Sequence, residues 1–224
     1  MEILIVLGLP LLGAALLALF GARRFAPELN AGMSLATLIA ASSLVLRVIR
    51  YGPMLVGHEQ FFVDPFNVFL VALTAFVGFT TALFSRPYMR IEEHHGRLNP
   101  RRLRLYHSMY QLFMFAMLLA LLTNNMGLLW VAMEAATLST VLLVSLYRTR
   151  ASLEAAWKYF ILCGVGIAQA LFGTILLYFA AEKTLGREGM TALLWTHLNA
   201  VKGQLEPRVL GLAFVFLQIG RAHV

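Results

Sequence analysis

The chain reads as an all-α integral membrane protein, with about six complete transmembrane helices plus a truncated seventh, and three observations predict this. Hydrophobic residues make up 60% of the 224 positions and charged residues only 13%, where soluble domains carry about a quarter charged. Mean hydropathy is +0.77. The apolar residues also fall into separate runs, most of them close to the roughly 20 residues that cross the hydrocarbon of a bilayer. Short segments rich in Gly, Pro, Asn and Arg divide them, as turns at a membrane surface require.

In chain order, the first span covers about 3–20 and is closed by Gly21-Ala-Arg-Arg24. It lacks a basic leader and a small-residue cleavage site, so it reads as a retained span rather than a signal peptide. Pro10 and Gly13 inside it are tolerable where neighbouring helices pack against it. The second span covers about 31–49. Gly52-Pro53 and Gly57-His-Glu-Gln60 then read as a polar turn. The third, about 64–84, opens on Asp64-Pro65, a side-chain cap followed by proline at the first helical position. Ser85 to His107 is polar and arginine-rich and is expected to be a solvated loop; the spacing of Glu92, Glu93, His94 and His95 is not that of a metal site. The fourth span, about 108–123, ends at Asn124-Asn125, and the fifth covers about 127–147. The sixth, about 153–181, carries Gly164, Gly166 and Gly173, which would let a neighbouring helix approach closely. Met190 to Leu198 reads as a short amphipathic piece within a polar loop, and a seventh span starts near 208.

Lys and Arg number 18 against 11 Asp and Glu, a net charge of +7. In a membrane protein this excess sets topology, and no basic patch interleaved with aromatics suggests nucleic acid. Arginines concentrate after the odd spans, at Arg23, Arg24, Arg86, Arg90, Arg97, Arg101, Arg102, Arg104, Arg148 and Arg150. Those loops are therefore expected to be cytoplasmic and the N-terminus outside. The single cysteine, Cys163, excludes an internal disulfide or a multi-cysteine cluster and reads as a packing residue. No phosphate-binding glycine loop, nucleophile triad or metal motif is present, so the chain is not expected to be an enzyme by itself and no cofactor is expected on it.

Two residues break the apolar pattern. Glu134 lies mid-way along the fifth span and Lys158 early in the sixth. A charge at such a depth costs at least about 2.5–3.5 kcal/mol on insertion scales. At 100° per residue, Thr137 and Ser145 share the face of Glu134, and Gln169 shares that of Lys158. These residues make a candidate polar path. Desolvation favours the neutral form of both titratable groups, whereas a nearby opposite charge favours the charged forms. Their protonation would therefore depend on their separation, as a switchable proton site requires. Spacing alone leaves open a static ion pair, or a Lys158 that reaches to the interface.

The motifs around these two residues narrow the reading. Thr123-Asn-Asn125, Leu129-Trp-Val-Ala-Met-Glu-Ala-Ala-Thr-Leu-Ser139, Ser152-Leu-Glu-Ala-Ala-Trp-Lys-Tyr159 and Leu171-Phe-Gly-Thr174 resemble the antiporter-like membrane subunits of respiratory complex I and group 4 membrane hydrogenases. Val63-Asp-Pro-Phe66 and Ser85-Arg-Pro-Tyr-Met89 resemble that family's third-helix opening and closing signatures, although members commonly have Gly-Tyr-Met at the second. The branch most resembled is the F component of hydrogenase-4, of formate-hydrogenlyase-type complexes. The resemblance covers about residues 60–217, and the first two spans match in pattern only. It implies that Glu134 and Lys158 are the family's fifth-helix glutamate and sixth-helix lysine, on a buried charged axis that moves protons coupled to redox chemistry in other subunits. It further implies other membrane subunits as partners, peripheral redox subunits as indirect ones, and a bacterial inner membrane location. An antiporter-like subunit of complex I itself, a subunit of a multisubunit cation/proton antiporter, and a non-catalytic membrane anchor are the alternatives.

Family members continue after a stretch like Leu212-Ala-Phe-Val-Phe-Leu217 with Ile-Gly-Tyr/Phe-Gly-Thr-Lys. Here Gln218-Ile-Gly-Arg-Ala-His-Val224 follows, which reads like the translation of a common sequencing adapter. The expectation is thus an N-terminal fragment over 1–217 with an artefactual tail over 218–224, and no role for Arg221 or His223. The family's later charged stations are not in this chain.

Overall fold

The computed structural model describes residues 2–185 and 192–222. Among them, six helices are long and apolar enough to cross a membrane. These are α1 (Glu2–Phe20), α2 (Ala26–Tyr51), α3 (Pro65–His94), α4 (Pro100–Leu122), α5 (Met126–Val144) and α6 (Arg150–Leu185). A 3₁₀ turn at Ser145–Tyr147 closes α5, and the shorter α7 (Trp195–Val201) and α8 (Pro207–Ala222) follow. The all-α membrane bundle is therefore the fold, with the seventh apolar run forming α8. Of the expected amphipathic piece, Met190 and Thr191 lie outside the described residues, and Trp195 to Leu198 belong to α7. Helix α8 continues over residues 218–222, and His223 and Val224 lie outside the described residues.

Local chemistry explains three of the helix starts. The Asp64 carboxylate accepts from the Asn67 amide at 2.7 Å, with Pro65 at the first helical position of α3. The Asn99 side chain accepts from the Arg102 amide at 2.9 Å ahead of Pro100. The Asn125 side chain accepts from Gly127 and Leu128 at the head of α5. Each satisfies an amide that the first helical turn leaves without a partner.

The polar segment 85–107 is not the loop expected from its composition. Helix α3 carries through Pro87 to His94 and α4 begins at Pro100, which leaves only residues 95–99 between them. Arg and Glu are good helix formers, so polarity here marks two helices leaving the apolar layer rather than the end of helical structure. Glu92, expected in that loop, is buried in the last turn of α3 and paired with Arg97 at 2.9 Å. The turn at 52–60 also differs: Met54–Val56 (β1) and Phe61–Val63 (β2) pair antiparallel across it, Met54 opposite Val63. Gly57, His58 and Glu59 turn the hairpin with positive φ.

Helix α4 sits centrally, packed on α1, α3 and α5, while α6 packs on α5 and α8. The main apolar core gathers Val6, Leu44, Val71, Leu118 and Leu122 from α1 to α4. Of the α6 glycines expected to permit close approach, Gly173 does so: a Cβ there would lie 2.9 Å from the Ala213 carbonyl of α8. Gly164 faces open space. Gly166 and Cys163 are both buried.

The hairpin end of the bundle is tied by hydrogen bonds. The Asn124 amide nitrogen donates to the Gln60 carbonyl, and the Trp195 amide donates to the Asn124 carbonyl, both at 2.7 Å. The Asn124 side chain donates to the Glu59 carbonyl and to Thr196 Oγ1, and Asn125 Nδ2 donates to Gln60 Oε1. His197 Nε2 meets Glu59 at 2.7 Å. One dipeptide thus joins the hairpin, the α4–α5 turn and α7.

Candidate functional site

Two hydrogen bonds set the register of α5 against α6. Trp130 Nε1 donates to the Ile167 carbonyl at 2.8 Å, and the Thr140 and Tyr159 hydroxyls lie 3.1 Å apart. For antiparallel neighbours this puts Glu134 at the level of Cys163 and Gly164. Lys158 then lies roughly six residues nearer the α5–α6 turn, about 9 Å along the axis at 1.5 Å per residue.

That register explains why the expected acid and base do not meet. Lys158 pairs with Glu154 one turn back on its own helix, at 2.5 Å, with its side chain 75% exposed. Glu134 is half-buried, and among the described residues no hydrogen bond or ion pair holds its carboxylate. The Glu154–Lys158 pair stands on an α6 face that includes exposed Trp157, Ile161 and Leu162. Within a membrane, a charged pair among such residues requires protein cover or water.

The candidate polar path separates in the same way. Thr137 is buried, but its hydroxyl donates back to the Met133 carbonyl at 3.0 Å. Ser145 is not on α5 at all. It starts the 3₁₀ turn, donates to the Leu142 carbonyl, and lines an otherwise apolar groove with Leu138, Val141, Leu153, Trp157 and Phe160. Gln169 is half-buried, and its inaccessible Oε1 has no hydrogen-bond partner among the described residues. It therefore offers an unused acceptor on the α6 face that also carries Lys158.

A second polar system was not singled out in the sequence. Gln111 of α4, fully buried, donates through Nε2 to the Asn30 carbonyl, to Asn30 Oδ1 at 2.8 Å and to Ser34 Oγ at 2.9 Å, both on α2. His107, one turn before Gln111, is buried, and both its ring nitrogens lack a hydrogen-bond partner among the described residues. Above it Glu28 takes both Arg86, at 3.2 Å, and Arg90. The signal was present as Asn30, Ser34 and Thr37 on one face of α2 and His107 and Gln111 on one face of α4, three or four residues apart.

Comparison with known proteins places these elements. Residues 123–219 match the family described as NADH:quinone oxidoreductase/Mrp antiporter, transmembrane, a range that holds Glu134, Lys158 and Gln169. The chain is 46% identical over 211 residues, 94% of its length, to a hydrogenase-4 component F homolog of Methylacidiphilum infernorum, and covers 43% of that protein. It spans less than half the length of this curated relative. A chain of the membrane-bound sulfane sulfur reductase, an archaeal respiratory membrane complex, superposes with TM-score 0.82 at 20% identity, over 98% of this chain and 44% of that one. A chain of respiratory complex I from Thermus thermophilus gives TM-score 0.68 at 23% identity, over 97% and 43%. At these identities the structural likenesses establish a common fold. The sequence match assigns the stretch around the fifth and sixth helices, residues 123–219 of this multi-pass membrane chain, to the transmembrane family of NADH:quinone oxidoreductases and Mrp antiporters.

Proposed function

We propose that this chain forms part of a proton-translocating membrane subunit of a hydrogenase-4 or formate-hydrogenlyase-type complex, in the bacterial inner membrane. Its redox sites would lie on other subunits. The observation that carries the reading is Glu134: a half-buried carboxylate in a membrane-spanning helix, inside the family-matched range, with no described partner holding it in one charge state. A carboxylate locked in an ion pair is a poor carrier, because releasing it costs the pair. An unpaired one can take and give a proton as neighbouring charges change.

Lys158 is assigned as the cation that modulates this carboxylate from the next helix. In the present arrangement it is turned to Glu154. The proposal is that its face of α6 is covered by further protein in the assembled complex, since lipid would not tolerate the pair. Gln169 and Thr137 would then support a hydrated connection, whereas Ser145 lies on an apolar groove and is the weakest member of the expected path.

The test uses the full-length protein in its complex, reconstituted in vesicles. Glu134→Gln should abolish most redox-driven proton uptake while subunit composition stays normal. Unchanged pumping with normal assembly would overturn the assignment. Replacing external sodium with potassium distinguishes the coupling ion: pumping that depends on sodium would favour a cation/proton antiporter reading over a proton pump.

A further inference from the structure

At the end of the bundle that carries the α1–α2 and α3–α4 turns lies a cavity of about 330 Å³, lined by Gly21, Arg23, Arg24, Arg90, Glu93 and His107 among others. Its volume falls at the small end of ligand sites, about 300–1,000 Å³. We propose that it binds the phosphate headgroup of an anionic phospholipid. This assignment is independent of the proton-transfer reading of Glu134.

The charge balance favours an anion. Among the described residues neither Arg23 nor Arg24 has a carboxylate partner. Arg90 shares the single carboxylate of Glu28 with Arg86. The carboxylates at the site are Glu28 and Glu93, so the arginines outnumber them. Guanidinium forks match phosphate oxygens in pairs, which suits them to this ligand better than to a halide. At the inner wall His107 is 1% exposed, and among the described residues neither ring nitrogen has a partner. A buried polar ring of that kind calls for a ligand or an ordered water.

The rim points to a lipid rather than a free ion. Leu19, Phe20 and Phe25 are exposed beside the cavity, and the Arg23 guanidinium stands over the Phe20 ring at 5.2 Å from its centroid. An inorganic anion has no use for this apolar border. A phospholipid uses both parts, its phosphate among the arginines and its acyl chains along the exposed side chains of the α1–α2 corner. Arg150 projects at the same membrane face but lines no part of this cavity, so it provides a charge-matched control.

The experiment places the full-length protein, in its complex, in phosphatidylcholine nanodiscs doped with phosphatidylglycerol, and counts retained phosphatidylglycerol by native mass spectrometry. The Arg23→Gln/Arg24→Gln double variant should weaken retention about tenfold, with Arg150→Gln unchanged. Equal loss in both variants, or loss in neither, would overturn the proposal. A photoactivatable phosphatidylglycerol added to the wild type should label residues 19–25, and labelling confined to other segments would likewise overturn it. This second readout stands even if the double variant does not assemble. Displacement of the lipid by millimolar inorganic phosphate as effectively as by short-chain phosphatidylglycerol would reassign the cavity to free anions and reject the lipid.

Discussion

Gln111 shows how one side chain can organise a membrane bundle, because its Nε2 serves acceptors on both the backbone and the side chains of α2. Gly13 leaves room for it: a Cβ there would stand 3.3 Å from Gln111 Oε1. Gln111→Leu keeps much of the volume but strips Asn30 and Ser34 of their partner. The expected cost is about 1–3 kcal/mol for stranded buried polar groups, seen as a lower thermal midpoint of the purified full-length protein. An unchanged midpoint would show that this network does not hold α2 to α4. The titratable pair predicts differently. Glu134 and Lys158 are offset along α5 and α6, and Lys158 has its own partner in Glu154. The Glu134→Lys/Lys158→Glu exchange should therefore leave proton pumping as low as Glu134→Gln does. Recovery of pumping toward wild type would mean that the two act as a direct structural pair and not as separate stations.

At the scale of elements, what was legible in the sequence was whatever depends on a few adjacent residues. The α3 start at Asp64-Pro65 is such a case, since cap, proline and apolar run lie side by side. The β1–β2 hairpin was not legible, because its anchors Asn124 and Asn125 lie more than sixty positions along the chain. The arginine-rich stretch after Phe84 misled for another reason: composition reports where a helix leaves the membrane, not where it stops. Among the α6 glycines, sequence could not say which one meets a neighbour. Gly173 meets the α8 backbone, and Gly164 meets nothing among the described residues. Gly173→Val should accordingly push α6 from α8 and lower stability by about 1–3 kcal/mol, whereas Gly164→Ala should be neutral. Melting curves of the two variants check this directly. Equal behaviour would remove the close α6–α8 approach from the account.

For the whole molecule, hydropathy was enough to give the bundle, but it could not give the lateral direction of Lys158, which depends on which helices stand beside α6. Where the turns gather leads to a prediction for orientation across the membrane. The turns after α1, α3 and α5, together with the helix ends that flank them, carry most of the arginines, and the hairpin, the α4–α5 turn and α7 are tied together at the other end. The positive-inside rule predicts that Gly96 faces the cytoplasm and His58 the outside. Both are exposed turn residues, and the only cysteine of this segment, Cys163, is buried. In the full-length protein freed of any other reactive thiols, Gly96→Cys should react with a membrane-impermeant maleimide only in inverted vesicles. His58→Cys should react only in right-side-out ones. The opposite pattern would turn the bundle over, moving the arginine-lined cavity to the outer leaflet and reversing the side from which Glu134 is reached. Reaction of both residues from one side would contradict the two-ended arrangement of turns itself.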